Sequence, residues 1–318
     1  MIVVTGGAGF IGSNVVSHLN SLGESDILVC DRLDNSVKWR NLDRIRFADY
    51  VDKDDLFDYL GNAGVQAFIH MGARTDTMEL DSRLIVEDNY QYSKVVWKWC
   101  HNTGTKLVYA SSASVYGNGA LGFSEDVNLD QSHALNPYAY SKLLFDRWVL
   151  RQNDVPSHWR GVRFFNVYGY GEAHKGKMAS VILQAARDLL GAGRVRLFKS
   201  YRDDYPDGGQ RRDFIHVDDA AEIVCSLAAN DHVSNGFYNV GTGQARSFRD
   251  LAESVARALG RELRIEYVDM PEGLEPRYQY FTQADMTKLS SEGVRFAPVS
   301  LEDGVSEYLS RLREDGID

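Results

Sequence analysis

Tyr138 and Lys142 stand four residues apart, so on a helix they share one face. A free phenol has a pKa of about 10 and is a poor base at neutral pH. A neighbouring ammonium favours the phenolate and tunes it for proton transfer. Ser111 and Ser112 close an apolar run upstream, and Ser112 offers a hydroxyl to a substrate oxygen. Earlier still, Gly6, Gly9 and Gly12 recur as G-x-x-G-x-x-G between the apolar run Ile2–Thr5 and a helical pattern. Such a turn lets the backbone approach a pyrophosphate, and the helix that follows favours its charge. The expectation is a dinucleotide that takes a hydride from an alcohol while Tyr138 takes the proton. Ser112 would hold the oxygen, and Lys142 would lower the phenol pKa and hold the nicotinamide ribose. A lone Y-x-x-x-K pair is usually only a helix pair; its conjunction with the glycine turn and the serine pair favours chemistry.

Asp31 follows the turn by about 20 residues, where a carboxylate is suited to a free ribose 2′-hydroxyl and repels a 2′-phosphate. That reading is NAD. Arg32, Lys38 and Lys53 lie close along the chain and could hold a 2′-phosphate instead. Arg32, directly after Asp31, makes NADP the expectation and NAD the alternative, although each lysine taken singly reads as a solvated surface charge.

These residues need a scaffold. Apolar runs that read as buried parallel strands alternate with helical patterns. Strands are expected at Ile2–Thr5, Ile27–Asp31, Ile45–Ala48, Ala67–His70, Lys106–Ser111 and Gly161–Phe165, with helices over 12–20, 86–102 and 138–152. That order predicts an α/β doubly wound parallel Rossmann sheet with right-handed crossovers. After Asn166 the rhythm breaks. A helix over 178–190, a polar stretch rich in Asp and Gly, a return to regular structure at 212–219 and a helix over 246–259 predict a smaller mixed substrate-binding lobe. The Rossmann domain is expected to take 1–167 with 213–242, and the second lobe 168–212 with 243–318, some C-terminal segments returning to the first.

The 318 residues can bury a large core. The net charge of −10 argues against a nucleic-acid partner. Cys30, Cys100 and Cys225 are scattered without metal spacing, so no metal is expected, and they fit a reduced cytosol. No apolar run approaches the ~20 residues of a membrane span. Met1 leads directly into a strand, so the expectation is a cytoplasmic chain without a signal peptide.

The motifs resemble the extended short-chain dehydrogenase/reductase family, whose members act on nucleotide sugars. The resemblance rests on the Gly6–Gly12 turn, Ser111-Ser-Ala-Ser-Val-Tyr-Gly117, Asn136-Pro-Tyr-Ala-Tyr-Ser-Lys142, Arg163-Phe-Phe-Asn-Val-Tyr-Gly169, Arg212-Asp-Phe-Ile-His216 and Asn239-Val-Gly-Thr-Gly243. It implies a sugar-nucleotide site in the second lobe, with Asn166 near the substrate and Arg212 on its diphosphate, where a guanidinium suits bidentate binding. The alternative for Arg212 is an ion pair with Asp213.

Three further segments resemble the ADP-heptose 6-epimerases within that family: Asp88-Asn-Tyr-Gln-Tyr-Ser-Lys94, Glu172-Ala-His-Lys-Gly-Lys-Met-Ala-Ser180 and Pro276-Arg-Tyr-Gln-Tyr-Phe-Thr-Gln-Ala-Asp285. This resemblance implies epimerisation at C6″ of an ADP-heptose, a step toward the lipopolysaccharide inner core, by a homo-oligomer, specifically a pentamer. It makes Lys175 the second acid/base. Substrate contacts would come from Lys177, Gln184, Phe198, Lys199, Ser200, Tyr201, Arg212, Arg277 and Tyr278. Cofactor contacts would come from Phe10, Ile11, Asp31, Arg32, Lys38, Lys53, Met71, Gly72, Ala73, Arg74, Asn89, Lys142, Val167 and Lys175.

Two bases make chemical sense. A hydride removed from an exocyclic carbon must return to its other face, and rotation about the adjoining bond presents that face. The carbonyl oxygen then moves beyond the reach of the first acid, since proton transfer needs contact of roughly 2.6–3.2 Å. By spacing alone Lys175 reads as a surface lysine in a loop; its flanks His174 and Gly176 carry the assignment.

Two departures stand out. The run after His70 reads Met71-Gly-Ala-Arg-Thr75 where the resemblance leads one to expect an acidic residue first, and Lys177 replaces an expected small residue. Rival readings remain. A 4,6-dehydratase would need an Asp-Glu pair where Ala113 and Ser114 stand. A UDP-glucose 4-epimerase-like enzyme would leave Lys175 without a role. A non-catalytic dinucleotide-binding protein would not need Ser112, Tyr138 and Lys142 together.

Overall fold

In the computed structural model, residues 1–34, 37–61, 63–75, 81–275, 278–314 and 316 are described. The strands are β1 (Ile2–Thr5), β2 (Ile27–Asp31), β3 (Asp49–Asp52), β4 (Ala67–His70), β5 (Lys106–Ser112), β6 (Trp159–Phe164), β7 (Asn166–Tyr168), β8 (Val195–Phe198), β9 (Arg211–His216), β10 (Gly236–Val240), β11 (Ala245–Ser247) and β12 (Ile265–Val268). The α-helices are α1 (Phe10–Ser21), α2 (Leu56–Leu60), α3 (Ser82–Val86), α4 (Tyr92–Thr103), α5 (Pro137–Val149), α6 (Val181–Ala192), α7 (Val217–Ala229), α8 (Phe248–Leu259), α9 (Thr287–Ser291) and α10 (Leu301–Glu314).

Seven strands form one sheet in the order β10-β6-β5-β4-β1-β2-β3, every pair parallel. Successive side chains alternate between faces. Val4, Val29 and Ile69 therefore enter one core, beneath α1 and α7. Val3, Leu28 and Phe68 enter another, beneath α2, α4 and α5. Burial on both faces is what gives these strands continuous apolar runs. A third core lies among α6, α8 and α10, with Leu197 of β8 and Phe214 of β9. Leu289 and Val294 pack into the first core, so the C-terminal segment divides between cores. Two small sheets, β11-β9-β7 and β12-β8, complete the architecture.

Chain order reverses direction between β1 and β4, the switch point where doubly wound sheets bind ligands. The glycine turn after β1 sits there. Gly6 has φ +67°, and a Cβ on it would lie 2.6 Å from the Gly72 nitrogen, just past β4.

The third strand is Asp49–Asp52, not 45–48 as the sequence suggests. Only Val51 of it is buried, because it is the outer strand. Ile45 and Phe47 pack against the core without joining the ladder. The helix expected from 86 begins at Ser82 and passes through a π-helical turn, Glu87–Gln91, before α4. Wide turns of this kind occur mostly as single turns inside α-helices, frequently at functional sites. Among the described residues, no helix is long and apolar enough to cross a membrane. The three cysteines are buried and unpaired.

Candidate active site

Three adjoining cavities run along the carboxyl edge of the sheet. The first, about 340 Å³, is walled by Ser112, Tyr138, Lys142, Asn166, Val167 and Lys175, with Phe10, Met178 and Phe214. The second, about 470 Å³, follows the glycine turn past Gly6, Gly9, Gly12, Asp31, Lys38, His174 and Lys175. The third, about 200 Å³, holds Asp31, Arg32, Lys38, Lys53, Arg74 and Asp88. Shared walls make them one groove: Phe10, Ile11, Met71 and Lys175 border the first two, and Gly6, Asp31, Lys38, Gly72 and Arg74 the last two. Ala73 borders all three.

The glycine turn fits a dinucleotide. A Cβ on Gly12 would lie 2.1 Å from the Gly6 carbonyl oxygen, and one on Gly9 would lie 3.0 Å from it. The turn closes this tightly only without those atoms, and it leaves the N-terminus of α1 facing the groove. Gly12→Ala is expected to abolish detectable dinucleotide binding in a fluorescence titration. Near wild-type affinity would show that the turn tolerates opening.

At the distal end, Asp31 accepts from the Ala8 nitrogen at 2.9 Å, the Arg32 nitrogen at 2.7 Å and Lys38 Nζ at 3.0 Å. Arg32 reaches Asp54 at 3.0 Å, and Arg74 reaches Asp88 at 3.0 Å. Lys53 also binds Asp88. This small cavity is lined by four cations and three carboxylates.

Asn89 does not border the groove. It is fully buried on the π-helical turn. It accepts from the Arg74 nitrogen at 2.7 Å and donates to the Arg74 carbonyl at 2.9 Å and to Ser141 Oγ at 3.0 Å. It therefore ties the 72–75 wall to α5. Thr75, not among the expected cofactor contacts, lies on that wall.

Asn136 caps α5, accepting from the Ala139 nitrogen at 2.8 Å, and Pro137 follows at the first turn. A cap and a pre-set φ fix where the helix begins, and hence where Tyr138 and Lys142 stand. Ser112 and Tyr138 wall the same cavity, and the Ser112 hydroxyl accepts from the Ser114 nitrogen at 3.2 Å. Burial raises the Tyr138 pKa, and the neighbouring Ser112 hydroxyl opposes this. Lys142, 4% exposed, donates to the Ala110 carbonyl at 2.7 Å. Burial pulls its pKa down to about 8, against the attraction of Asp146. The expected lowering of the phenol by Lys142 does not arise here: the ammonium is held on the end of β5, and burial leaves the Tyr138 phenol above its usual value. Asp146, one turn beyond Lys142, is fully buried and accepts from Ser111 Oγ at 2.9 Å and Arg163 Nε at 3.2 Å. Its spacing, Tyr138-x₃-Lys142-x₃-Asp146, was the available signal for this buried anchor.

Lys175 lies on a 3-10 segment, Ala173–Met178. Its ammonium sits 5.5 Å from the centre of the Phe10 ring, over the start of the dinucleotide helix. Burial lowers its pKa, and Glu172 opposes this. Glu172 itself is 1% exposed; its carboxylate accepts both the Ser180 backbone nitrogen and the Ser180 hydroxyl at 2.5 Å. Ser180 caps α6, so the lysine-bearing loop is closed at its base.

The remaining substrate candidates divide. Arg212 and Phe214 share one face of β9. Arg212 lies 5.2 Å from the Tyr278 ring and 5.6 Å from that of Phe248. Phe198 meets Tyr278 edge-on at 6.0 Å. The alternative pairing with Asp213 does not form: Asp213 accepts from the Thr242, Gly243 and Ala284 nitrogens. On the loop after β8, Lys199 pairs with Asp269 at 3.1 Å, the Ser200 hydroxyl donates to the Arg202 carbonyl, and the Tyr201 hydroxyl donates to Asp269. Lys177 and Gln184 are exposed and outside the groove walls. The Gln184 amide donates to the carbonyls of Lys177 and Ala179. Arg277 lies outside the described residues.

Residues 2–241 match the NAD dependent epimerase/dehydratase family. The chain is 46% identical to the ADP-L-glycero-D-manno-heptose-6-epimerase of Nitratidesulfovibrio vulgaris, covering 98% of this chain and 97% of that one. It is 43% identical to the Fusobacterium nucleatum protein of that name, covering 97% of each. The crystal structure of the Helicobacter pylori protein of that name superposes with TM-score 0.82 at 28% identity, covering 98% of this chain and 96% of that chain. A Thermus thermophilus UDP-glucose 4-epimerase in complex with NAD superposes with TM-score 0.77 at 25% identity over 98% of each chain. A nicotinamide dinucleotide is the cofactor that this groove and this family share. The chain belongs to the NAD dependent epimerase/dehydratase family and groups within it with the ADP-L-glycero-D-manno-heptose-6-epimerases.

Proposed function

We propose that the protein converts ADP-D-glycero-β-D-manno-heptose to ADP-L-glycero-β-D-manno-heptose by oxidation and re-reduction at C6″. The observation that carries this is one cavity walled by both Tyr138 and Lys175, contributed by two different elements. The bound dinucleotide supplies hydride acceptance and return. The chain supplies the rest. Ser112 holds the reacting oxygen, and Tyr138 removes or returns its proton in one orientation of the carbonyl. After rotation about the exocyclic bond, the oxygen is presented to Lys175, whose lowered pKa suits proton exchange nearer neutrality. Asn166 contacts the sugar. Arg212 takes the diphosphate, with Phe198 and Tyr278 beside it.

NADP is the proposed cofactor. The Asp31 carboxylate already accepts three donors, and Arg32, Lys38, Lys53 and Arg74 line the cavity it borders. The first lobe would hold the dinucleotide and the second the sugar nucleotide. A homo-oligomer, a pentamer by family resemblance, working in the cytoplasm completes the reading, with the product destined for the lipopolysaccharide inner core. Two measurements test it. Mass spectrometry of the released cofactor is expected to show NADP(H). NMR of incubations with the ADP-heptose and with UDP-glucose is expected to show epimerisation of the first alone; turnover of UDP-glucose alone would replace this proposal with 4-epimerisation.

A further inference from the structure

Two asparagine amides join the segment that carries Lys175 to the turn that cradles the dinucleotide. Asn41 Nδ2 donates to the Ala8 carbonyl at 3.0 Å and to the Gly171 carbonyl at 3.1 Å. Asn14 Nδ2 donates to the Phe10 carbonyl and to the Tyr170 carbonyl, both at 2.8 Å. Each amide thus divides its two N–H groups between the two segments. These four partners are carbonyls, and His174 Nδ1 lies 3.5 Å from Asn41 Nδ2 as well, so each position needs a side chain that donates through more than one N–H. Gly171 has φ +98°, and a Cβ on it would lie 3.3 Å from Asn14 Nδ2, so the segment comes this close because a glycine stands there. Beyond it, His174 Nδ1 lies 3.0 Å from the Gly171 carbonyl, and the next residue is Lys175.

Asn41 ends the 3-10 turn Val37–Asn41. With three residues per turn, positions 38 and 41 lie on one side of it. Lys38 reaches Asp31 at 3.0 Å and borders both dinucleotide cavities. A single turn therefore presents one residue to the cofactor groove and another to the lysine segment.

We propose that Asn41, with Asn14 beside it, is a positioning residue for Lys175: it locks the lysine segment onto the dinucleotide turn, so that the turn that grips the cofactor also places the second acid/base. This rests on the two-base reading of the site. Glu172 and Ser180 close the base of the lysine loop, while the two amides set its distance from the reacting carbon. A misplacement of about 1 Å at such a site can cost on the order of 100-fold in rate.

The test is single-turnover reduction of the bound nicotinamide by each ADP-heptose epimer in turn, alongside dinucleotide titration. Asn41→Leu is expected to bind dinucleotide, to lose roughly 10- to 100-fold in rate with the same epimer that Lys175→Met loses, and to stay within about threefold with the other. In a Lys175→Met background it is expected to add almost nothing, as for two residues that act through one group. Equal losses with both epimers, or losses that multiply in the double variant, would overturn the proposal. If Asn41→Leu fails to bind dinucleotide, Asn14→Leu decides by the same criteria, since it leaves the 3-10 turn intact. If Lys175→Met itself shows no preference between epimers, the two-base reading fails first, and that result is distinct from a failure of Asn41 alone.

Discussion

Lys175→Met is expected to lower epimerisation by about 100- to 10,000-fold, the usual worth of a positioned acid/base group, far more than it lowers dinucleotide affinity. Methionine keeps most of the side chain's apolar length and removes the proton-bearing ammonium that stands over the Phe10 ring. The expected loss is therefore chemical rather than structural. It should also be one-sided. An epimer whose proton is taken by Tyr138 should still reduce the bound nicotinamide in a single turnover, whereas the opposite epimer should not. Burial draws the Lys175 pKa below its usual range, and the Glu172 carboxylate limits the fall. A surface lysine would carry no such shift, and its loss would change little. Turnover near wild type in Lys175→Met would remove the reason for assigning a 6-epimerase rather than a single-base enzyme.

Tyr138→Phe is expected to produce a loss of similar size, on the order of 100- to 10,000-fold, with the opposite epimer preference. The phenol shares a cavity wall with the Ser112 hydroxyl, and α5 fixes it through the Asn136 cap. Removing one oxygen leaves the ring and the helix in place, so dinucleotide binding should again survive. The pair of variants is stronger than either alone. If both lose the same half-reaction, the two groups serve one orientation of the carbonyl and the rotation model is wrong. If each loses a different half, the two bases serve the two orientations. Single-turnover absorbance with each purified epimer separates these results.

Much of the scaffold was legible in sequence. The runs Ile2–Thr5, Ile27–Asp31 and Ala67–His70 are apolar on both faces, and only a sheet covered on both sides needs that pattern. Their strands match the expected bounds. The third strand was misplaced by four residues, because its outer position leaves Asp49-Tyr-Val-Asp52 with a single buried residue and therefore without an apolar signature. The π-helical turn at 87–91 was illegible for a different reason: its widening serves Asn89, whose partners Arg74 and Ser141 are distant along the chain.

The sequence alone determined the residue types at close spacing. Glycines at 6, 9 and 12 permit a turn that no side chain would allow, and Asn136-Pro137 starts the helix that carries Tyr138 and Lys142. These are local matters of sterics and of hydrogen bonding within one or two turns of chain. Tertiary structure alone decided that Lys175 shares a cavity with Tyr138 and that Arg212 faces aromatic rings rather than Asp213. It alone decided that Asn14 and Asn41 bridge to carbonyls 156 and 130 residues away. An amide gains its partners only when packing brings the carbonyls within reach, and spacing along one chain carries no record of that approach.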